Sequence, residues 1–115
     1  MKVYGQTINL KPGAEIERRY VAMHRAAFPE VERGLKSIGI RRMLIWKLGR
    51  QLFMMMETDD GFDPERDFPR YEHSHPRIKQ WQDTMAAMQE AVADAPAGQW
   101  WARMELVYAL GDSRK

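Results

Sequence analysis

The chain contains no cysteine. That excludes a disulfide framework, a thiolate metal site and a cysteine nucleophile, and it suits a reducing, cytoplasmic location, the one expected here. No run approaches the roughly 18 apolar residues of a membrane span. The opening MKVYGQTINLKPG lacks the long apolar core of a signal peptide and reads as the start of the fold. Neither sign of charge is in large excess: Lys plus Arg number 18 against 16 Asp plus Glu, a net +2, and the two signs are interspersed. A dedicated nucleic-acid surface would cluster one sign, so none is expected, and no membrane partner is expected either. A glycine-rich phosphate loop is missing, as is a GxSxG elbow with its histidine and acid. Nucleotide-driven chemistry and serine hydrolysis therefore have no support. There is no internal repeat and no low-complexity stretch.

What is present suits one small globular domain. Of 115 residues, 44% are hydrophobic and 30% charged, enough for one modest core. The expected division is a single domain over 1–110 and a polar tail over 111–115.

Val3, Tyr4, Thr7, Ile8 and Leu10 make a short strand-like run that Lys11-Pro12-Gly13 ends. From Ala14 the period becomes helical, with Ile16, Tyr20, Met23, His24 and Ala27 on one face. Pro29 stops this helix near Ala27 and starts another helical segment, through Val31 and Leu35 to a cap region at Gly39. Residues 40–48 and 51–57 read as two strands joined at Gly49-Arg50, a type II′ hairpin turn. The run LFMMME is apolar on both faces, as in a central strand covered on both sides. Residues 58–76 lack a period and are too long for a plain connection, so partial helix or a functional loop is expected. The charges of ERDFPR, 65–70, are expected on a solvated face. A helix then runs from Pro76 through Ile78, Trp81, Met85, Met88 and Val92 to Ala95-Pro96-Ala97-Gly98, and a last strand covers 100–110. The order strand, helix, strand, strand, helix, strand is that of a ferredoxin-like βαββαβ fold. It is an α+β antiparallel sheet with helices on one face. The other face needs cover, which points to a homodimer.

Three histidines are the proton-exchanging side chains near neutral pH. His24 follows Tyr20 by four residues, so both project from one helix face. That spacing fits a core histidine bonded to its neighbours. It fits, less directly, an acid/base imidazole beside a phenol that binds a hydroxyl. His73 and His75 could contribute to a divalent metal site, but the pair reads as a solvated loop ahead of Pro76, and no metal is expected. Trp81 is either core packing or an indole for stacking on the C–H face of a pyranose, with Gln82 in reach of a hydroxyl. Trp100 and Trp101 either line a pocket or wedge the sheet edge, and Met54-Met55-Met56 reads as core.

The run YVAMHRAAFPEV, Tyr20 to Val31, resembles the Tyr-x-x-x-His … aromatic-Pro-Glu motif of the L-rhamnose and L-fucose mutarotase family, and the similarity extends from the first strand to MELVYAL. The resemblance implies a cofactor-free, metal-free isomerase acting on a monosaccharide, assembled as a dimer of ferredoxin-like subunits. It places His24 on the family's acid/base histidine and Tyr20 on its sugar-contacting tyrosine. Met43 stands where rhamnose-specific members carry an aromatic residue, and Trp81-Gln82 where they carry Trp-Trp. The segments GIRRMLIWKLGRQLFMMMET, PRIKQW and GQWWARME look more like the L-fucose branch, although that branch tends to have an acid at position 82. Substrate contacts are accordingly expected at Tyr20, Met43, Trp81 and Gln82. Ferredoxin-like dimers also serve as small monooxygenases or as non-catalytic sugar-binding modules, and those readings stay open on sequence.

Overall fold

The computed structural model describes residues 1–111; the rest of the expected polar tail lies outside the described residues. The chain forms β1 (Lys2–Leu10), α1 (Ala14–Arg25), α2 (Pro29–Ser37), β2 (Ile40–Leu48), β3 (Gln51–Thr58), α3 (Pro64–Glu72), α4 (Pro76–Met88), β4 (Gln89–Glu90) and β5 (Ala102–Met104). The sheet order is β2-β3-β1-β4, with β5 also on β1, and every pairing is antiparallel. This is the ferredoxin-like α+β arrangement, each crossing connection split into two helices. No described helix is long and apolar enough to cross a membrane.

Alternation places the core. On β1 the residues Gln6, Ile8 and Leu10 are buried, and on β3 Leu52, Met54, Met56 and Thr58 are buried, all on the helix side. The helices close over them with Tyr20, Val31, Tyr71, Ile78, Trp81, Met85 and Met88. Prolines begin three of the four helices, α2, α3 and α4, where the missing N–H has no intrahelical partner to lose. Gly34 allows α2 to lie against α4 and Tyr71. A Cβ there would sit 2.7 Å from Ile78 Cδ1 and 2.9 Å from Tyr71 Cε1. At the hairpin Gly49 has φ 57°, and among the described residues none other than glycine has positive φ, the pattern of a type II′ turn.

Three expectations need correction. The last helix stops at Met88, not at Ala95-Gly98. Gln89 and Glu90 instead pair with Leu10 and Asn9, and Lys11 N donates to Met88 O at 2.8 Å. Val92 lies outside any helix. The final strand covers only Ala102–Met104, while Leu106, Val107, Tyr108 and Leu110 are exposed and unpaired in the sheet. Within ERDFPR, Asp67 is buried. It accepts from the Asp63 backbone N–H at 2.9 Å and from Arg66 and Arg70, and these partners, Arg66 first, hold its carboxyl down at about 2. A carboxylate enclosed by its own helix's arginines is cheaper to bury than an isolated one.

β3 is central in the ladder, as its apolar run led one to expect, and the helices of this chain cover one of its faces. On its other face Phe53 and Met55 are half-buried. Phe53 stacks on Trp46 with ring centroids 5.6 Å apart, and its ring edge lies over Gly5, where a Cβ would come within 3.2 Å.

Candidate active site

Between the helices and the core face of the sheet lies an open cavity of about 1030 Å³, at the upper end of the ~300–1,000 Å³ usual for small-molecule sites. Its floor is a row of paired strand positions: Ile45 of β2, Met54 of β3, Gln6 of β1 and Arg103 of β5. Its roof comes from α1, through Tyr20 and His24, and from α4, through Trp81 and Gln82. The irregular segment before β5 closes one side with Gln99, Trp100 and Trp101.

The geometry of His24 follows from the helix. Its Nδ1 lies 2.8 Å from the Tyr20 carbonyl, one turn back. A carbonyl only accepts, so Nδ1 carries the proton and donates, and Nε2 is left with a lone pair. No described residue hydrogen-bonds Nε2. Burial disfavours the imidazolium and lowers the His24 pKa below its ordinary 6.5; the bond to the Tyr20 carbonyl works the other way with smaller effect. The half-buried ring lies against Tyr20 (centroids 4.2 Å apart) and meets the edge of Trp81 (5.1 Å), which in turn meets Phe28 at 5.1 Å. The result is a neutral base held by aromatic walls.

Tyr20 is buried, and burial pushes its phenol up to about 12, offset in part by the neighbouring Gln89 carboxamide. Near neutral pH it is therefore a proton-bearing donor, not a phenolate. Gln89 is itself buried and accepts from Trp100 Nε1 at 3.0 Å, which ties the tryptophan segment to the roof.

All five residues singled out in the sequence, Tyr20, His24, Met43, Trp81 and Gln82, line this one cavity. Trp81 packs in the core at 5% exposure and also borders the cavity. Gln82 Nε2 lies 3.4 Å from Glu72 Oε2. His73 and His75 lie outside the cavity. His75 caps α4, its Nδ1 accepting from the Arg77 backbone N–H at 3.0 Å. Among the described residues no cluster of three or more His, Asp or Glu could hold a metal ion. Sequence reasoning missed Gln6 and Gln89, which supply the buried polar atoms of the floor and side wall. The signal for Gln6 was a polar residue at an inward position of an otherwise apolar alternation.

Four cationic and four anionic side chains border the cavity (Lys36, Arg41, Arg42 and Arg103 against Glu32, Glu65, Glu72 and Asp83). Three of the cations are engaged: Arg41 with Asp59, Arg42 with Glu57 and Arg103 with Glu65. That leaves Lys36 as the rim cation without a carboxylate partner among the described residues, so no positive excess remains for an anionic ligand.

A ferredoxin-like subunit with an uncharged imidazole in a charge-balanced pocket is the class of protein that fold and cavity define. Comparison with known proteins narrows it. Residues 3–110 match the family described as L-rhamnose mutarotase, and the chain belongs to that family of sugar isomerases. It is 38% identical over 112 residues to a UPF0734 protein of Dictyostelium discoideum, covering 95% of this chain and 90% of that one. It is 28% identical over 108 residues to an L-fucose mutarotase of Xanthomonas campestris pv. campestris, covering 92% and 86%. Among solved structures it resembles the L-rhamnose mutarotase of Formosa agariphila, with a TM-score of 0.68 at 19% identity and coverage of 96% and 99%. At that identity the structural likeness speaks for the fold.

Proposed function

We infer that the protein interconverts the α and β pyranose anomers of a 6-deoxy-L-sugar, with L-fucose as the preferred substrate, L-rhamnose as the near alternative and His24 as the acid/base group. The observation that carries this reading is the His24 imidazole. Its Nδ1 proton is committed to the Tyr20 carbonyl, and its other nitrogen has no hydrogen-bond partner among the described residues and stands in a cavity whose floor arginine is paired with Glu65. Membership of the mutarotase family and the relative named L-fucose mutarotase support the choice of reaction and of sugar. Met43 and Gln82, where the family's rhamnose-specific pattern has bulkier aromatic groups, support fucose over rhamnose.

The chemistry asks little of the protein. Nε2 takes the proton of the anomeric O1 as the bond from C1 to the ring oxygen breaks. The imidazolium returns a proton to that oxygen, and the open-chain aldehyde results. Rotation about C1–C2 presents the other carbonyl face, and closure in the reverse sense yields the second anomer. No atom is gained or lost. Anomers already exchange in water, so one positioned acid/base group, worth roughly 10²–10⁴-fold, suffices. Tyr20 stays protonated and orients the sugar beside His24. The working unit is a homodimer that covers the open sheet face.

Saturation-transfer NMR at the anomeric protons of L-fucose and L-rhamnose tests the reading. Exchange well above the buffer rate is expected, faster for L-fucose. Folded His24→Asn should lose roughly 10²–10⁴-fold of it. Wild-type exchange at the buffer rate with both sugars sinks the reading, and an undiminished His24→Asn rate removes the histidine from it.

A further inference from the structure

The cavity holds two buried carboxamides, and they differ in what they are already bonded to. Gln89 is engaged: its Oε1 accepts from Trp100 Nε1, a full N–H donor, at 3.0 Å. Gln6 is 7% exposed, and its one hydrogen bond among the described residues runs from Nε2 to the Met54 sulfur at 3.2 Å. A carboxamide offers two N–H donors and two acceptor lone pairs, and a thioether is a weak acceptor. The sulfur accepts and cannot donate, so the amide is held with Nε2 toward Met54, and Oε1 and the second N–H are left for other partners.

Position makes this notable. Gln6 is the one polar side chain among the buried residues of β1, which otherwise buries Ile8 and Leu10 on that face. It sits mid-row in the cavity floor, between Met54 and Arg103. Arg103 is held by Glu65, so it does not serve the glutamine. A glutamine bonded only to a thioether adds little to the fold, and a methionine or leucine would fill the same space beside Met54. The protein's own contacts give no stabilising reason for a glutamine here. Its unused hydrogen-bonding capacity opens onto the cavity.

We propose that Gln6 is a substrate-binding, specificity-determining residue whose carboxamide receives ring hydroxyls of the sugar from the sheet side, while His24 works on the anomeric end from the helix side. The inference rests on the sugar-isomerase reading above and deepens it. An amide that both donates and accepts suits a pair of neighbouring hydroxyls. L-Fucose and L-rhamnose differ in the orientation of ring hydroxyls. A site that hydrogen-bonds a hydroxyl discriminates far more sharply than one that only packs against it.

The test compares wild type with Gln6→Met, a change of similar length and volume. Anomer exchange of L-fucose and L-rhamnose and the thermal midpoint are measured in both. The expected result is a fall in kcat/KM for the preferred sugar of about ten- to a hundredfold, mostly through KM. The fucose-to-rhamnose ratio should move toward unity, and Tm should be equal or higher. A purely structural glutamine would do the opposite, lowering Tm with kcat/KM and the ratio retained, and that result overturns the proposal. If Gln6→Met folds poorly, the wild-type protein still decides. Its 15N-labelled Gln6 side-chain amide should shift on titration with L-fucose or L-rhamnose, and an unmoved signal at saturating sugar is fatal to the assignment. Wild type inactive on both sugars would instead defeat the functional reading and take this inference with it. Wild type active with an indifferent Gln6→Met defeats the glutamine alone.

Discussion

His24 owes its chemistry to the turn of helix that precedes it. With Nδ1 bonded to the Tyr20 carbonyl and the ring half-buried, its pKa falls below 6.5, so the neutral form survives into mild acid. The acid limb of the exchange rate should therefore have its midpoint below pH 6.5; a midpoint above 6.5 in the rate profile would contradict the buried geometry. Stability follows the same sign. The unfolded chain binds this proton first, so stability is full above about 6.5 and declines as pH falls toward the lower folded value. Specificity offers a second test at this scale. Met43→Tyr with Gln82→Trp should shift preference toward L-rhamnose, and an unchanged fucose-to-rhamnose ratio in the folded double variant would detach these positions from the choice. The roof of the cavity was legible in the sequence, because Tyr20 and His24 share a helix face and Trp81 falls on the apolar stripe of another. The floor was not. Gln6 breaks the apolar alternation of its strand, but only strand pairing shows that it stands between Met54 and Arg103, and pairing between distant segments leaves little trace in local pattern.

Among the elements, the first strand, the paired helices around Pro29 and the long hairpin follow from local signals: turn glycines, proline at helix starts, and a change of period from two to 3.6 residues. The end of the last helix does not. QEAVADA favours helix by composition, yet Gln89 and Glu90 are drawn into the sheet by Leu10 and Asn9 and held by Arg50. That arginine donates from Nε to Leu10 O at 2.9 Å and also pairs with Glu90. Tertiary pairing outweighs a propensity worth tenths of a kcal/mol per residue. The early stop has a consequence for the site, since Gln89 faces the cavity only because it leaves the helix. Gly34 supplies a prediction at this scale. Alanine is the better helix former by about 0.5–1 kcal/mol, but its methyl would meet the Tyr71 ring edge at 2.9 Å as well as the softer Ile78 terminus at 2.7 Å. The ring has little room to move, so Gly34→Ala should lower stability by a net ~1–2 kcal/mol, read as a lower denaturation midpoint. A raised midpoint would show that α2 and α4 separate more easily than their packing suggests.

The whole molecule is one-sided. Helices and core occupy one face of the sheet, and the other carries the Trp46–Phe53 stack, Met55 and Met104, with the apolar stretch Leu106 to Leu110 beyond the last strand. That much apolar surface on a small domain calls for a partner, and sedimentation at micromolar concentration should give a dimer; a monomer there would remove the homodimer from the functional reading. The distribution of the four tryptophans follows the same division. Trp81, Trp100 and Trp101 border the cavity, whereas Trp46 is half exposed on the opposite face. The molecule thus carries two separate optical reporters. Sugar entering the cavity should perturb the emission of the first three and leave Trp46 alone, while self-association should shift Trp46 to shorter wavelength without touching the others. With Trp46→Phe the dilution-dependent part of the spectrum should vanish and the sugar-dependent part should persist, so that one cuvette follows assembly and occupancy independently.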